Sequence, residues 1–472
     1  MENVKTENSQ KYILIISFLI SFAAIFIASG SSLAAPSIGK EYAMSNITQN
    51  WILTLFLISI SAFTIPAGQI SSKYGSKKMF IFGGSLFLIG LILSCISISS
   101  EMFLISRAIQ GIGYAIYGVA EMAMLVISTT PENRGKSFGI AIVGSYLGSV
   151  AAPLAGGYLI SNFGWRTIFY VAIPFVIFCI LLTVMKINLE WKPNENDKLD
   201  INGCLLYMIG IILFVYGFSD LLSLFGQISI IIGVVFLIIF GVYESKIELP
   251  VFNIKLFKNR RFSSYNLSGF FCFFAFAVYD VFFNYYFQYV KGWDPQMTGF
   301  MLIIPPILIG IISPFAGKLS DKTNPQKIST VGLTLILISI ISMIFLNMNT
   351  PAYILILSMV ILATGTGLFS VPNTNAIVSS VSEENASYAS ATQITLRSCG
   401  QTLSLGILTL VCSMVLGNLP LSTEYAGLIL NSANIISVIC TILCVIAILF
   451  SIRGIKTESN LNKQKSRSLF TS

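Results

Sequence analysis

Two charges and an amide stand inside one apolar run. They are Arg107, Gln110 and Glu121, in Arg107-Ala-Ile-Gln-Gly-Ile-Gly-Tyr-Ala-Ile-Tyr-Gly-Val-Ala-Glu121, with no other charge between Phe103 and Ile127. A second run, Phe270 to Tyr289, holds twelve aromatic residues in twenty and a single acid, Asp280. A charge at the centre of a bilayer costs about 2.5–3.5 kcal/mol on insertion scales, so such residues are retained for a reason. The chemistry open to them is proton exchange and cation binding. A carboxylate in an aromatic wall holds a lipophilic cation through charge and cation–π attraction, and the same group can carry a proton instead. Proton and substrate would then compete for one site. Phe276, Tyr279 and Phe283 are candidate rings of this wall, although helix packing or lipid is the commoner explanation of any one ring.

At about 100° per residue, Gln110, Tyr114 and Glu121 fall within about 60° of Arg107 on a helix. Lipid would not tolerate that face, so it looks into a bundle. Arg107 and Glu121 are about 21 Å apart by helical rise and cannot pair directly. For Arg107 one reading is a guanidinium bonded to backbone carbonyls of the first span. Glu121 is either a protonatable, cation-binding group or a side chain reaching for the cytoplasmic interface.

Other chemistries are not supported. The chain has no histidine, no GxxxxGK[ST] phosphate loop, no CxxC and no cluster with metal-ligand spacing. No nucleophile-and-base set is visible, so an enzyme is not expected, nor a cofactor, nor drive by ATP within this chain.

The elements that must hold these residues follow from composition. The chain is 55% hydrophobic and 10% charged, where a soluble protein carries about 25% charge. Fourteen apolar runs approach or exceed the length that spans a bilayer as helix: 12–35, 50–70, 78–98, 102–126, 137–160, 166–186, 202–222, 226–243, 264–290, 296–316, 328–347, 351–374, 388–416 and 427–451. With the N-terminus inside, 23 of the 28 Lys and Arg fall on the cytoplasmic side. That matches the positive-inside rule and places both termini in the cytoplasm of a multi-pass protein of the cell (plasma) membrane. The net charge of +8 is therefore a topology signal, and nucleic acid is not an expected partner. The partners expected are a small-molecule substrate, protons and the lipid bilayer, with the protein a monomer.

The layout is 6 + 2 + 6. Residues 1–186 form an N-terminal six-helix bundle, and 187–262 a charged linker, two inserted helices and a basic loop. Residues 263–454 form a C-terminal six-helix bundle, and 455–472 a polar, basic cytoplasmic tail. An internal repeat supports the scheme. Gly68-Gln-Ile-Ser-Ser-Lys-Tyr-Gly-Ser-Lys-Lys78 aligns with Gly317-Lys-Leu-Ser-Asp-Lys-Thr-Asn-Pro-Gln-Lys327, and Gly111-Ile-Gly113 with Gly365-Thr-Gly367, at offsets of 249 and 254. Each pair falls at the same place in its six-span set, as two parallel-related halves require.

These residues resemble the major facilitator superfamily, and within it the fourteen-span drug:proton antiporter branch that includes tetracycline and quaternary-ammonium exporters. Gly68 to Lys78 looks like the family's loop motif, and Arg107-Ala-Ile-Gln-Gly-Ile-Gly113 matches its fourth-span motif. Gly139, Gly148, Pro153, Gly156 and Gly157 follow the fifth-span antiporter motif, with Ala152 in place of its usual Gly. Pro131-Glu-Asn-Arg-Gly-Lys136, Gly164-Trp-Arg166, Leu199-Asp-Ile-Asn-Gly203, Trp293 to Gly299 and Gly365 to Asn373 are also in the branch's style. The fold implied is an all-α polytopic membrane protein, a major facilitator fold of 14 transmembrane helices arranged 6 + 2 + 6. The function implied is proton-coupled antiport that exports small amphipathic or cationic compounds by alternating access.

The resemblance assigns further roles. The fourth-span Arg107 would join in proton coupling, beside Asp280 and Glu121, whose roles rest on their own placement; Glu121 is not part of the family motif. Gly148, Pro153, Gly156 and Gly157 would be the hinge, since small residues allow close approach and Pro frees a carbonyl. Gly68, Lys73, Gly75, Lys77, Arg134 and Asp321 would form a cytoplasmic gate, or simply a positive anchor. Gln110, Tyr114, Phe276, Tyr279, Phe283, Asn373 and Arg397 would line the substrate cavity, with Arg397 either balancing a buried acid or holding the cytoplasmic side closed. Two departures matter. Ser72 stands where the loop motif usually has Asp, and Ile27 where the branch often has a first-span acid. Coupling is thus expected in spans four and nine. A dedicated exporter of one metabolite and a transporter-like sensor without flux are the alternative functions.

Overall fold

The computed structural model describes residues 2–129, 134–187, 199–247, 254–381 and 386–470, and within these the side chains of Arg134 and Asp321 lie outside the description. Residues 130–133 and 188–198, the latter most of the linker after Lys186, lie outside it as well. Among the described residues fourteen helices are long and apolar enough to cross a membrane. Spans one to seven are Gln10–Glu41, Asn46–Tyr74, Ser76–Cys95, Ser100–Leu125, Gly139–Phe163, Thr167–Lys186 and Ile201–Ser219. Spans eight to fourteen are Leu224–Glu244, Arg260–Val290, Pro295–Ser320, Pro325–Ile344, Ala352–Val378, Thr392–Leu416 and Thr423–Lys456. Each overlaps the run expected at its place. The eighth, the shortest expected, is a helix of 21 residues. The final helix runs on to Phe470, through the stretch expected as a polar tail.

The chain packs as two compact units. Unit one is Met1–Phe240, Phe283–Ile303 and Cys412–Ile429; unit two is Gly241–Phe282, Ile304–Val411 and Leu430–Ser472.

In unit one, span five lies hard against span one. A Cβ on Gly148 would sit 2.5 Å from the Phe22 carbonyl oxygen, so only glycine allows this approach. Spans two and three meet at a one-residue turn. Gly75 has φ +107°, where an L side chain is strained, and it closes one helix while opening the next. Span seven seats on span two: Tyr207 donates to the Ser61 carbonyl at 3.0 Å, and the Asp200 N–H donates to Gln69 Oε1 at 3.1 Å.

The two halves repeat one packing device. A Cβ on Gly113 would lie 2.8 Å from the Gly83 carbonyl oxygen, and one on Gly365 2.7 Å from the Gly332 carbonyl oxygen. Both contacts join the third and fourth spans of a six-span set. Gly111 and Gly367 instead face the second span of their sets, near Phe56 and Ile312. The structural equivalents are therefore Gly113 and Gly365, a register two residues away from the motif alignment.

Candidate functional site

The hydrogen-bond ladder of span nine is interrupted just before its acid. Helix runs from Arg260 to Phe276, turns at Ala277, and resumes from Val278 to Tyr285 with Asp280 in the new first turn. Neither Pro nor Gly causes the break. The Ser404 hydroxyl of span thirteen accepts the Val278 N–H at 2.9 Å, so a side chain has entered the helical ladder. Ser404→Ala would leave the Val278 N–H bare. We expect a loss of about 1–3 kcal/mol, read as a lower midpoint in thermal unfolding of the purified protein.

Asp280 is the one exposed residue from Arg261 to Val290. A helix laid against lipid would expose a stripe of apolar residues at i±3 and i±4. Here Phe276 and Ala277 are half-buried, and Phe283 and Asn284 are buried. No described residue donates a hydrogen bond to the carboxylate. A bare carboxylate is costly against lipid, so an accessible one inside an otherwise enclosed span marks a candidate site.

Of the three rings expected around it, Tyr279 and Phe283 are enclosed at 1% and 2% exposure. The Tyr279 hydroxyl donates to Ser437 in span fourteen at 3.1 Å, while Phe283 stacks on Phe287 at 6.4 Å between centroids. Both rings fill helix packing. Only Phe276 leaves ring surface near the acid, and it tilts against Phe273 at 5.2 Å.

The span-four face is buried in unit one. Arg107 and Gln110 are both 0% exposed. Arg107 Nε donates to the Ile52 carbonyl of span two at 3.1 Å, Nη1 donates to Gln110 Oε1, and the guanidinium lies 4.4 Å over the Phe56 ring. The carbonyl it uses thus belongs to span two, not span one. Its Nη2 is buried without a partner. Gln110 Nε2 donates to the Gly90 carbonyl at 3.0 Å and to Ser94 Oγ at 2.7 Å. Both polar atoms of Gln110 are therefore spent, Nε2 on span three and Oε1 on Arg107 of its own helix. Tyr114 is half-buried, edge-on to Phe56 and Tyr117. Glu121, 8% exposed, accepts from the Ser21 hydroxyl of span one at 3.4 Å. It is buried against span one instead of reaching for the end of its own span.

The fifth-span motif makes a local π-helix. Ala152–Gly156 is wound with one residue too many per turn around Pro153, whose missing N–H permits it. The start of span ten presses on this bulge. A Cβ on Gly157 would meet the Pro295 carbonyl oxygen at 2.8 Å, and one on Gly299 the Pro153 carbonyl oxygen at 1.9 Å.

Sequence reasoning missed a polar seam in unit one. Asn284 Nδ2 donates to the Ser32 carbonyl, and Gln288 Nε2 to the Leu33 carbonyl at 3.0 Å and to Asn284 Oδ1 at 2.6 Å. Tyr285 donates to Asn50 Oδ1 at 3.0 Å, and Gln49 Nε2 to the Tyr289 hydroxyl at 2.9 Å. The available signal was amides at i, i+4 in span nine and a pair at Gln49-Asn50, within otherwise apolar spans. Gln288→Leu would strand the Leu33 carbonyl and Asn284 Oδ1. A destabilisation of about 1–3 kcal/mol is expected, read by the same unfolding measurement.

The gate and cavity residues are placed as follows. Gly68, Lys73 and Lys77 are half-buried, Gly75 is buried, and Arg397 is exposed with its guanidinium 4.6 Å over the Phe273 ring. Asn373 is 1% exposed. At the other end of the spans Arg166 pairs with Glu41 at 2.7 Å. That hydrogen bond raises the Arg166 guanidinium above its usual range.

Residues 17–405 match the Major Facilitator Superfamily, and the chain belongs to that family of membrane transporters, which are not enzymes. Among curated relatives, riboflavin transporter RibZ of Clostridioides difficile (strain 630) is 28% identical over 394 residues, covering 82% of this chain and 85% of the relative. Multidrug resistance protein Stp of Mycobacterium tuberculosis (strain CDC 1551 / Oshkosh) is 25% identical, covering 83% and 73%. Multidrug resistance protein 3 of Bacillus subtilis (strain 168) is 26% identical, covering 80% and 75%. The crystal structure of peptide transporter POT in complex with sulfate superposes with a TM-score of 0.70 at 16% identity, covering 94% of each chain. That likeness shows the fold. This chain is accordingly an all-α, fourteen-span transporter of the major facilitator fold.

Proposed function

We propose that the protein is a proton-coupled antiporter of the drug:proton branch, exporting small amphipathic or cationic compounds across the plasma membrane with both termini cytoplasmic. The observation that carries this reading is Asp280, an unpaired and accessible carboxylate at a helix break. A proton neutralises it in one state and a cationic substrate in the other. Because one carboxylate cannot hold both, loading substrate expels the proton, which suffices for exchange. Glu121 assists as a second protonatable group in unit one. Arg107 fixes span four to span two and keeps a positive field there. The π-bulge at Pro153 with Gly148, Gly156 and Gly157 is the hinge on which two six-helix bundles rock. The seam of Asn284, Gln288, Tyr285 and Tyr289 must open and reform in each cycle. Its bonds are each worth about 1 kcal/mol net, which keeps it reversible. Gly68, Lys73, Gly75 and Lys77, with Arg134 and Asp321, form the gate at the cytoplasmic end.

The test is uptake of tetraphenylphosphonium into proteoliposomes with an acidic interior. Accumulation above the equilibrium ratio that collapses with a protonophore is expected; equilibration unaffected by the proton gradient would refute the reading. A second reading, a dedicated transporter of one metabolite, is favoured by the riboflavin transporter relative. Saturable riboflavin uptake that tetraphenylphosphonium does not inhibit would select it.

A further inference from the structure

Unit two contains a pocket that the coupling reading does not use. It lies between the first half of span nine, the end of span twelve and the start of span thirteen. Asn266, Phe270, Phe273, Asn373 and Arg397 are among its lining, and its space is about 190 Å³ including the open mouth. The enclosed part holds roughly one water-sized group.

The polar groups of this pocket are set in an unusual way. Asn266 and Asn373 are each 1% exposed. The Oδ1 atoms of both are buried without a hydrogen-bond partner. The orientation of Asn266 is fixed, because its Nδ2 donates to the Phe262 carbonyl at 2.9 Å and a carbonyl can only accept. Each bare acceptor costs roughly 1–3 kcal/mol until a donor arrives, and both residues line this one small space. Gly269 keeps the space open, since a Cβ there would lie 3.0 Å from Asn373 Nδ2. Arg397, held over Phe273, puts a positive charge in the same wall.

The geometry points to a subsite for the uncharged, hydrogen-bond-donating tip of an amphipathic substrate, a carboxamide or a hydroxyl beside a carbonyl. Two acceptors ask for two N–H or O–H donors. The Arg397 charge disfavours a cationic donor such as an ammonium, and it favours an acceptor on the ligand. The Phe270 and Phe273 rings take the apolar part that follows the tip. The span-nine part of this subsite, Asn266 to Phe273, stands about two to four helical turns before Asp280. The two therefore divide recognition: Asp280 takes positive charge, and this pocket takes neutral donor–acceptor groups.

The inference deepens the export reading and rests on it for the identity of the cargo, so its test measures binding without transport. Two probes are used on purified protein in nanodiscs. Chloramphenicol is uncharged and carries an amide and two hydroxyls; tetraphenylphosphonium is a cation with no hydrogen-bonding group. Asn373→Leu and Asn266→Leu are each expected to weaken chloramphenicol binding about tenfold more than tetraphenylphosphonium binding. Asp280→Asn is expected to reverse that ratio. Thermal unfolding within a few degrees of wild type shows that the variants fold. Equal losses for both probes, chloramphenicol binding that survives both Leu variants, or no chloramphenicol binding by the wild type would overturn the inference and leave the pocket to an ordered water. Failure of coupled uptake with the selective losses intact would instead fall on the antiport reading alone.

Discussion

Asp280→Asn abolishes gradient-driven accumulation of tetraphenylphosphonium while the protein stays folded. The expected drop is at least 100-fold in the uptake that a protonophore removes. The reason is local: the carboxylate has no hydrogen-bond partner among the described residues and is the only exposed side chain of its span from Arg261 to Val290. Its loss breaks no interaction that holds the helices together. Asn keeps the size and can hold neither the proton nor the cation's charge. Asp280→Glu restores part of the accumulation, because charge is kept and only its position moves by one methylene. Downhill exchange of an uncharged compound such as chloramphenicol persists in Asp280→Asn, which separates lost coupling from lost folding.

Gly299→Ala is expected to have the second large effect, this time through packing. Its Cβ would sit 1.9 Å from the Pro153 carbonyl oxygen, and that oxygen is backbone and cannot swing aside as a side chain would. Span ten must then lift from the π-bulge. A destabilisation of about 1–3 kcal/mol follows from overpacking of this kind. It is read as a lower unfolding midpoint in nanodiscs. If the bulge at Ala152–Gly156 is also the hinge, the variant's turnover falls further than its folded fraction does. Gly68→Ala is the matched control, because nothing lies within 4 Å of a Cβ there. It is expected to leave the midpoint unchanged.

The spans were legible because hydropathy reports directly on the solvent each helix meets. All fourteen runs overlap a helix. The burial of Arg107 and Glu121 was legible for the same reason, since lipid rejects both. What the sequence did not carry is which partner each buried group finds. The Ile52 carbonyl beneath Arg107 belongs to a helix 55 residues away, and no local pattern selects span two over span one. The break at Ala277 is hidden more deeply. It needs no Pro or Gly, only a serine 126 residues further on whose hydroxyl takes the Val278 N–H. The aromatic wall misled in one respect. Twelve rings near one acid suggested a cage, but Tyr279 and Phe283 are spent on Ser437 and Phe287, and periodicity alone cannot separate a ring that packs from one that lines a cavity. The repeat alignment erred by two residues at the Gly-x-Gly pair for a related reason. Both glycines of each pair are packing sites, and the motif does not say which neighbour each one serves.

The account's central claim is that Asp280 carries proton and substrate in turn. Proton release on adding tetraphenylphosphonium to purified, weakly buffered protein tests it most directly. Wild type is expected to release close to one proton per ligand bound, and Asp280→Asn to release none, with Glu121→Gln and Arg107→Lys changing the yield only in part. Release of the same number of protons by Asp280→Asn as by wild type would contradict the claim.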